Sequence, residues 1–509
     1  MNTMSFPSLR VDGLTLILGL GETGLAAALW CARQGARLRV LDTRAEPGGL
    51  QALQQALDAG KVDYRLGPNA LAEDALQGVH TIVLSPGLSP LQSPVSEFLA
   101  LAAQHDIDVV GEIELFARAL ADMAGQGYQP KVLAVTGTNG KTTVTAMTRQ
   151  LVQAGGHTVK AAGNISPAGL TALSDALEAD DLPEVWVLEL SSFQLESVHT
   201  LRPDAAVVLN VTQDHLDWHG SMQAYAAAKA RLLNMSRVAI VNRDDPLVMA
   251  MVDKVEAQSV RSFGHDMPVY EGDLGLERSH DMLWLVAAEA TDFELPTAPT
   301  RRKKAVAEPP RPEGRSTRLI PADALRVRGQ HNALNALAAL ALARSLGLGW
   351  AAMLHALRDY AGEAHRTEYV RTVGGVDFIN DSKGTNVGAA VAALDGMGAP
   401  VVLIAGGLGK GQDFSPLAAA VRAHARAVIL IGQDAGLIGQ ALVETGVPIE
   451  QSADLGLAVG RSMELAQPGD TVLLSPACAS MDMFRNYGHR GSCFVDEVQE
   501  LALSRGEVA

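Results

Sequence analysis

Basic charge, cysteine, aromatic residues and long apolar runs are all scarce in this chain, and each shortage narrows what it can be. Asp and Glu outnumber Lys and Arg by 57 to 41, a formal net charge of −16. That balance argues against broad binding to nucleic acid or to an anionic membrane, and it leaves any anionic ligand to local clusters of Lys, Arg and helix ends. The three cysteines, Cys31, Cys478 and Cys493, show no metal-type spacing; they suit free thiols in a reducing compartment, not a disulfide scaffold. Aromatic residues make up only 4%, while Ala and Gly are abundant. No apolar stretch reaches the roughly 18 residues that a membrane span needs. The first seven residues, Met-Asn-Thr-Met-Ser-Phe-Pro, contain no basic segment followed by an apolar core, as a secretory signal would. The expectation is a cytoplasmic monomer with small-molecule substrates and neither nucleic acid nor membrane as a partner.

What the chain does have is βα alternation. Its 509 residues correspond to about three domains, and 48% apolar with 19% charged residues fits globular ones. Strand-like runs at 14–18, 37–41, 81–84 and 109–110 alternate with helical ones. Further runs follow at 185–190, 205–210 and 238–242, and a third set at 376–379, 401–405, 427–431 and 471–475. This rhythm predicts an α/β protein with parallel sheets covered by helices. Several runs end in polar residues, as strands do when they deliver side chains to a site at their C-terminal edge. Residues 121–130 read as a connector and 362 as a boundary. Residues 296–317, with Arg301-Arg-Lys-Lys304 and Glu308-Pro-Pro-Arg-Pro312, have little apolar content and read as a mobile insertion in the central domain. There is no internal repeat.

The strongest local signal is Gly137-Thr-Asn-Gly-Lys-Thr-Thr143, after the apolar run 131–136 and before a helical run from Thr142. Such a turn exposes backbone N–H groups at a helix N-terminus, where phosphate oxygens are favoured. Lys141 adds a cation and Thr142 a hydroxyl for Mg²⁺. Val135 stands where the usual phosphate-loop pattern has its first glycine, but Gly140, Lys141 and Thr142 are intact. Binding of a nucleoside triphosphate follows.

A second glycine turn, Gly19-Leu-Gly-Glu-Thr-Gly24, follows a strand and opens a helix, with Asp42 at the tip of the next strand. Taken alone it satisfies a dinucleotide fingerprint. It serves equally for another nucleotide diphosphate, or for glycine packing alone. Ser85-Pro-Gly87 faces the same edge.

Other residues carry two readings each. Glu189 ends a strand and can hold Mg²⁺ directly or through water, or is an ordinary strand-end acid. His215, beside Asp214 and Asp217, is a ligand candidate or a satisfied polar group. Lys229 lies in a helical run and by pattern is a surface lysine. Asn332 and Asn335, three apart on one helical face, grip a purine or cap the helix start. Arg366, Lys383 and Lys410 fall on loops beyond residue 362, where cations can close over phosphates and carboxylates bound elsewhere.

Taken in this order, residues 137–143, 188–195, 380–386, 474–484 and 488–491 resemble the Mur ligase family, which makes amide bonds in the peptide stem of bacterial cell-wall precursors. The resemblance covers nearly the whole chain apart from 296–317 and the termini. Asp381-Ser-Lys-Gly-Thr-Asn386 resembles the D-glutamate-adding members, and the Asp-Asn-Pro-Arg signature of the diaminopimelate-adding members is absent. The resemblance implies three domains. These are a Rossmann-like UDP-sugar domain (1–122), a central phosphate-loop ATPase domain (123–362) and a C-terminal Rossmann-like α/β amino-acid-binding domain (363–509). It implies ATP with two Mg²⁺ ions, and UDP-N-acetylmuramoyl-L-alanine and D-glutamate as substrates. By the same resemblance Leu20, Gly21, Thr23, Asp42, Thr43, Arg44, Ser85, Gly87 and Asn164 match UDP-sugar contacts; Glu22 belongs to the same turn at a position that varies. Gly137, Thr138, Asn139, Gly140, Lys141, Thr142, Thr143, Asn335, Arg366 and Asp381 match ATP contacts. Thr142, Glu189, His215 and a carbamylated Lys229 match metal ligands, with Lys141, His215 and Lys229 catalytic. Lys383, Lys410, Ser480 and Tyr487 match the D-glutamate pocket, with Tyr487 where phenylalanine is usual. Sister ligases, folylpolyglutamate synthase, an NAD(P) oxidoreductase and a nucleotide switch are the competing readings.

Overall fold

The computed structural model describes residues 4–507, except 10–11, 59, 254, 256, 258, 291–310 and 328. Three sheets follow one another along the chain. The first has five parallel strands, β1 (Leu14–Leu18), β2 (Arg37–Asp42), β3 (Val62–Leu66), β4 (Val79–Leu84) and β5 (Asp108–Val110), in the order β3-β2-β1-β4-β5. The second comprises β6 (Lys131–Thr136), β7 (Val159–Gly163), β8 (Val185–Glu189), β9 (Ala205–Val208), β10 (Val238–Asn242), β11 (Ser259–Phe263), β12 (Leu274–Ser279), β13 (Met282–Glu289) and β14 (Arg315–Pro321). Their order is β14-β13-β12-β11-β10-β9-β6-β8-β7, and only β12, β13 and β14 pair antiparallel. The third has β15 (Glu368–Val373), β16 (Val376–Asn380), β17 (Val401–Gly406), β18 (Ala425–Ile431), β19 (Ile449–Gln451) and β20 (Thr471–Leu474), ordered β15-β16-β20-β17-β18-β19, with β15 antiparallel. This is the expected α/β class.

The central strands are apolar because helices cover both faces. In β6 every residue after Lys131 is buried, and β8 is buried throughout. Chain direction away from β6 reverses between β8 on one side and β9 on the other, which opens a crevice at the strands' C-terminal ends.

The helix Glu112–Ala124 joins the first two sheets, so the connector expected over 121–130 is helical at its start. Phe116 packs edge-to-face on Trp186 at 5.3 Å. Glu114 accepts backbone N–H bonds from His199 at 2.8 Å and Thr200 at 2.9 Å. The insertion expected over 296–317 is corrected at its C-terminal end. Arg311 pairs with Asp273 at 2.7 Å and β14 starts at Arg315, held by the β13 ladder; residues 296–310 lie outside the described residues. Among the described residues no helix is long and apolar enough to cross a membrane.

Candidate functional site

The phosphate-loop turn is built where expected. Gly140 caps the helix Lys141–Ala154 at φ 85°, and a Cβ there would lie 2.6 Å from Asn335 Oδ1, so only glycine lets the loop approach that asparagine. Asn335 in turn donates to Asn332 Oδ1 at 3.1 Å. Lys141 Nζ donates to the carbonyls of Gly137 and Thr138, both at 2.9 Å. Burial lowers its pKa, while Glu189 and Asp214 oppose the shift.

Beside it, Thr142 Oγ1 donates to Glu189 Oε2 at 2.7 Å and Asn164 Nδ2 to Glu189 Oε1 at 2.8 Å. The Thr142–Glu189 separation is close to the roughly 2.9 Å between neighbouring oxygens around an octahedral Mg²⁺. Among the described residues no group of three His, Cys, Asp or Glu could hold a metal alone. A hard cation that takes one carboxylate, one hydroxyl, waters and phosphate oxygens therefore fits this donor set.

His215 sits at φ 54° after β9, with Nε2 3.6 Å from Asp214 Oδ2 and its ring edge-on to Phe193. Burial pulls its pKa down, Asp214 opposes, and the nearby lysines 141, 410 and 229 add to the fall. The surface position that pattern alone assigns to Lys229 is wrong. This lysine is 1% exposed, donates to Gly137 O at 3.0 Å and lies 4.4 Å above the Tyr225 ring. Tyr225 Oη in turn lies 3.1 Å from Thr138 Oγ1. Burial first, and then Lys141, hold the Lys229 amine far below the usual lysine range.

Loops of the third sheet complete the wall. After β16, Asp381 accepts from Ser475 Oγ at 2.7 Å and from the Thr367 N–H at 3.2 Å, and burial pushes it up to about 6. Lys383 lies 4.0 Å over the Tyr487 ring, and burial, Arg366 and Lys141 bring its pKa down to about 8. Arg366 donates to Thr142 Oγ1 across the two units. Asn139 and Asn386 exchange side-chain amide bonds at 3.2 and 3.0 Å, and Asn386 reaches Asp214 at 3.2 Å.

These groups surround one cavity of about 1250 Å³, larger than a single small-molecule site usually needs. Thr138 to Thr143, Asn164, Glu189, His215, Lys229, Asn335, Arg366, Asp381, Lys383, Lys410, Ser480 and Tyr487 all line it, with Glu22 from the first unit. Gly137 is tied to it through Lys141 and Lys229. The remaining UDP-sugar candidates, Leu20, Gly21, Thr23, Asp42, Thr43, Arg44, Ser85 and Gly87, lie outside the cavity lining, at the C-terminal edge of the first sheet. There Asp42 accepts from Leu20 N at 2.9 Å and pairs with Arg44 at 2.7 Å, and Ser85 Oγ donates to Gly19 O at 2.7 Å. Burial works to raise the Asp42 pKa, but the Arg44 and Leu20 hydrogen bonds win and hold it below the usual carboxylate range. The same edge abuts the segment after His215 through Ser89 Oγ, 3.3 Å from Trp218 O.

Sequence reading singled out neither Asn386 nor Arg490. Arg490 is 1% exposed and binds Ser382 Oγ, Ser382 O and Cys478 O at 2.8–3.1 Å, tying the β16 and β20 loops together. Both residues stand inside segments read only as family signatures.

A phosphate loop in the middle unit, a metal-fitting donor pair beside it and cations from a third unit reaching over both define a phosphate-loop protein with a capping domain. Three family models match in succession: the MurD-like N-terminal domain of Mur ligases over residues 14–111, the Mur ligase middle domain over 135–343 and the Mur ligase glutamate ligase domain over 365–478. The chain belongs to the Mur ligase family. It is 67% identical over 498 residues to the UDP-N-acetylmuramoylalanine--D-glutamate ligase of Bordetella bronchiseptica, covering 97% of this chain and 98% of the relative. The protein of the same name from Burkholderia mallei is 53% identical over 502 residues, covering 98% and 99%. Among solved structures, the MurF ligase from Thermotoga maritima in complex with ADP has a TM-score of 0.57 at 16% identity, covering 98% of each chain, a likeness of fold.

Proposed function

We propose that the protein is an ATP-dependent amide-bond ligase that adds D-glutamate to UDP-N-acetylmuramoyl-L-alanine in the cytoplasm, acting as a monomer. The observation that carries this reading is the sharing of one cavity by Lys141 of the phosphate loop and Arg366, Lys383 and Lys410 of the third unit. Relatives of that name at 53–67% identity along nearly the full chain support the choice of substrates. The proposed working parts are a UDP-sugar unit over 1–122, an ATP unit over 123–362 and an amino-acid unit over 363–509.

A carboxylate is a poor electrophile, so its oxygen attacks the terminal phosphorus of ATP, ADP departs, and an acyl phosphate forms. The neutral amine of D-glutamate then attacks the acyl carbon, and the tetrahedral adduct collapses with loss of phosphate and a proton. Catalysis of this kind is mainly positioning and charge neutralisation. In this reading Lys141 faces the transferring phosphoryl group and Asn335 and Asp381 hold the nucleoside. Asn164 orients the acceptor carboxylate, and Lys383, Lys410, Ser480 and Tyr487 hold the glutamate. The uracil and diphosphate lie on the turn of Leu20, Gly21 and Thr23 with Asp42, Thr43, Arg44, Ser85 and Gly87. Thr142, Glu189, His215 and Lys229 as its carbamate would hold two Mg²⁺ ions, which when bound would supply charge neutralisation. Lys229 suits that role because a buried, neutral amine can add its lone pair to CO₂ and, on releasing one N–H proton, becomes an anionic carbamate.

The test is ADP release from ATP with UDP-N-acetylmuramoyl-L-alanine against a panel of D- and L-amino acids. D-glutamate alone is expected to stimulate release; equal stimulation by another amino acid, or none by any, contradicts the reading.

A further inference from the structure

The helix Val387–Asp395 of the third unit meets the middle unit at both ends, and the two ends are held differently. At its N-terminus Asn386 makes the reciprocal amide pair with Asn139 and reaches Asp214. A Cβ at Gly388 would stand 3.0 Å from Thr212 Oγ1, so contact there is close. The C-terminus lies about 13 Å away at the usual rise per residue, and there Gly396 meets His331 of the middle unit.

The His331 ring fills a slot between two glycines on opposite sides of the interface. A Cβ at Gly329 would lie 2.7 Å from its Cε1, and a Cβ at Gly396 would lie 3.0 Å from both Cε1 and Nδ1. Nδ1 is buried without a hydrogen-bond partner, and the carbonyl of Ala392 in the last helical turn lies near enough to the ring to favour its protonated form, though less than burial opposes it. Burial pushes the imidazole down to about 4, so at neutral pH the ring is uncharged and Nδ1 keeps a bare lone pair. Leaving a buried acceptor unmatched is unfavourable; what holds the ring there is its packing between Gly329 of its own unit and Gly396 of the third.

We propose that His331 is a positioning residue: it seats the C-terminal end of helix Val387–Asp395 and so sets the closed placement of the third unit over the nucleotide site. Asn386 clamps one end of the helix and His331 the other. With the Arg366–Thr142 contact these two ends fix the direction in which the third unit lies, and the loops carrying Lys383 and Lys410 move with it. This rests on the ligase reading for its kinetic consequence, but not for its geometry.

Gly396 makes the test specific. Its φ is −82°, so alanine there meets no backbone strain, only the imidazole and a 3.2 Å approach to Ala392 O. The experiment compares wild type with His331→Ala, Gly396→Ala and the double variant. Energy transfer between dyes on the middle and third units is measured at saturating ADP and Mg²⁺, alongside the KM for D-glutamate and the affinity for ADP. Each single variant should lower the closed fraction and raise the KM about tenfold, in proportion to the closed population lost, with ADP affinity changed less than about twofold. The double variant should be no worse than His331→Ala, because removing the ring empties the space the new methyl needs. Additive losses in the double variant, or an unchanged dye distance in Gly396→Ala, would overturn the proposal. Failure of the ligase reading shows instead as ADP release indifferent to D-glutamate, with the dye distances still responding.

Discussion

Two lysines in the site have amines held below the usual lysine range, with opposite consequences for their proposed roles. Lys229 is surrounded by a carbonyl and an aromatic ring and repelled by Lys141, so its proton is lost cheaply. A lysine kept neutral in this way is a nucleophile towards CO₂. Lys229→Ala is therefore expected to lose at least about a hundredfold in turnover, the scale of removing one charge-stabilising group, and to regain activity when acetate or formate is added. An inactive variant that no short carboxylic acid restores counts against the carbamate. Lys383 is the opposite case, because its role needs the charge. With its pKa lowered to about 8, it is a cation below that pH and neutral above it. In its proposed role, its grip on a carboxylate is therefore expected at neutral pH and expected to be lost as pH rises. In Lys383→Arg the charge persists, so the ratio of wild-type to variant kcat/KM for D-glutamate should fall about tenfold per pH unit above roughly 8. A flat ratio would show that Lys383 does not hold the amino acid by charge.

At the scale of elements, the joint between the first two units depends on the helix Glu112–Ala124. Glu112 is 3% exposed, accepts the N–H of Leu170 at the start of the helix Gly169–Glu178, and has its other oxygen buried without a partner. Burial raises its pKa from 4.5 to about 7. The sign follows: a carboxyl raised in the folded state favours folding below its unfolded pKa and loses that advantage as pH climbs through the folded value. Glu112→Gln keeps an acceptor and never ionises. It should stabilise the protein at pH 8, by about 3 kcal/mol at roughly 1.4 kcal/mol per pKa unit, and change little at pH 4. Denaturant midpoints at the two pH values check this, and equal midpoints for wild type and variant at pH 8 would contradict it. The central strands were legible because burial on both faces leaves continuous apolar runs such as Val-Leu-Ala-Val in β6. Strands β3, β7, β12 to β15 and β19 were not, because edge or antiparallel strands are stabilised by ladder bonds their side chains do not announce, and β11, parallel to both neighbours, was not because Ser-Val-Arg-Ser-Phe lacks an apolar run. Arg-Ser-Thr-Arg-Leu-Ile-Pro in β14 shows no alternation at all. Lys229 was misread as surface although its helix held the clue: Tyr225, Leu232 and Leu233, spaced four, three and four residues from it, are all buried on its face.

Over the whole molecule, a chain of net charge −16 gathers Lys141, Arg366, Lys383 and Lys410 around one cavity. No single unit carries that cluster; it exists only while the third unit lies on the second, through contacts such as Arg366 with Thr142. The sequence supplied the cations and their loops, and the resemblance supplied their order. What it could not supply was their convergence, which depends on Asn386 and His331, residues whose partners are distant in the chain. The central claim is that this convergence lets a phosphoryl group pass to a carboxylate before the amide forms. It is tested most directly by giving the enzyme ATP, D-glutamate and UDP-N-acetylmuramoyl-L-alanine whose carboxylate carries heavy oxygen, and weighing the inorganic phosphate released. One heavy oxygen atom in each phosphate is the predicted result; phosphate free of the label, with both labelled oxygens unaccounted for there, would contradict the account.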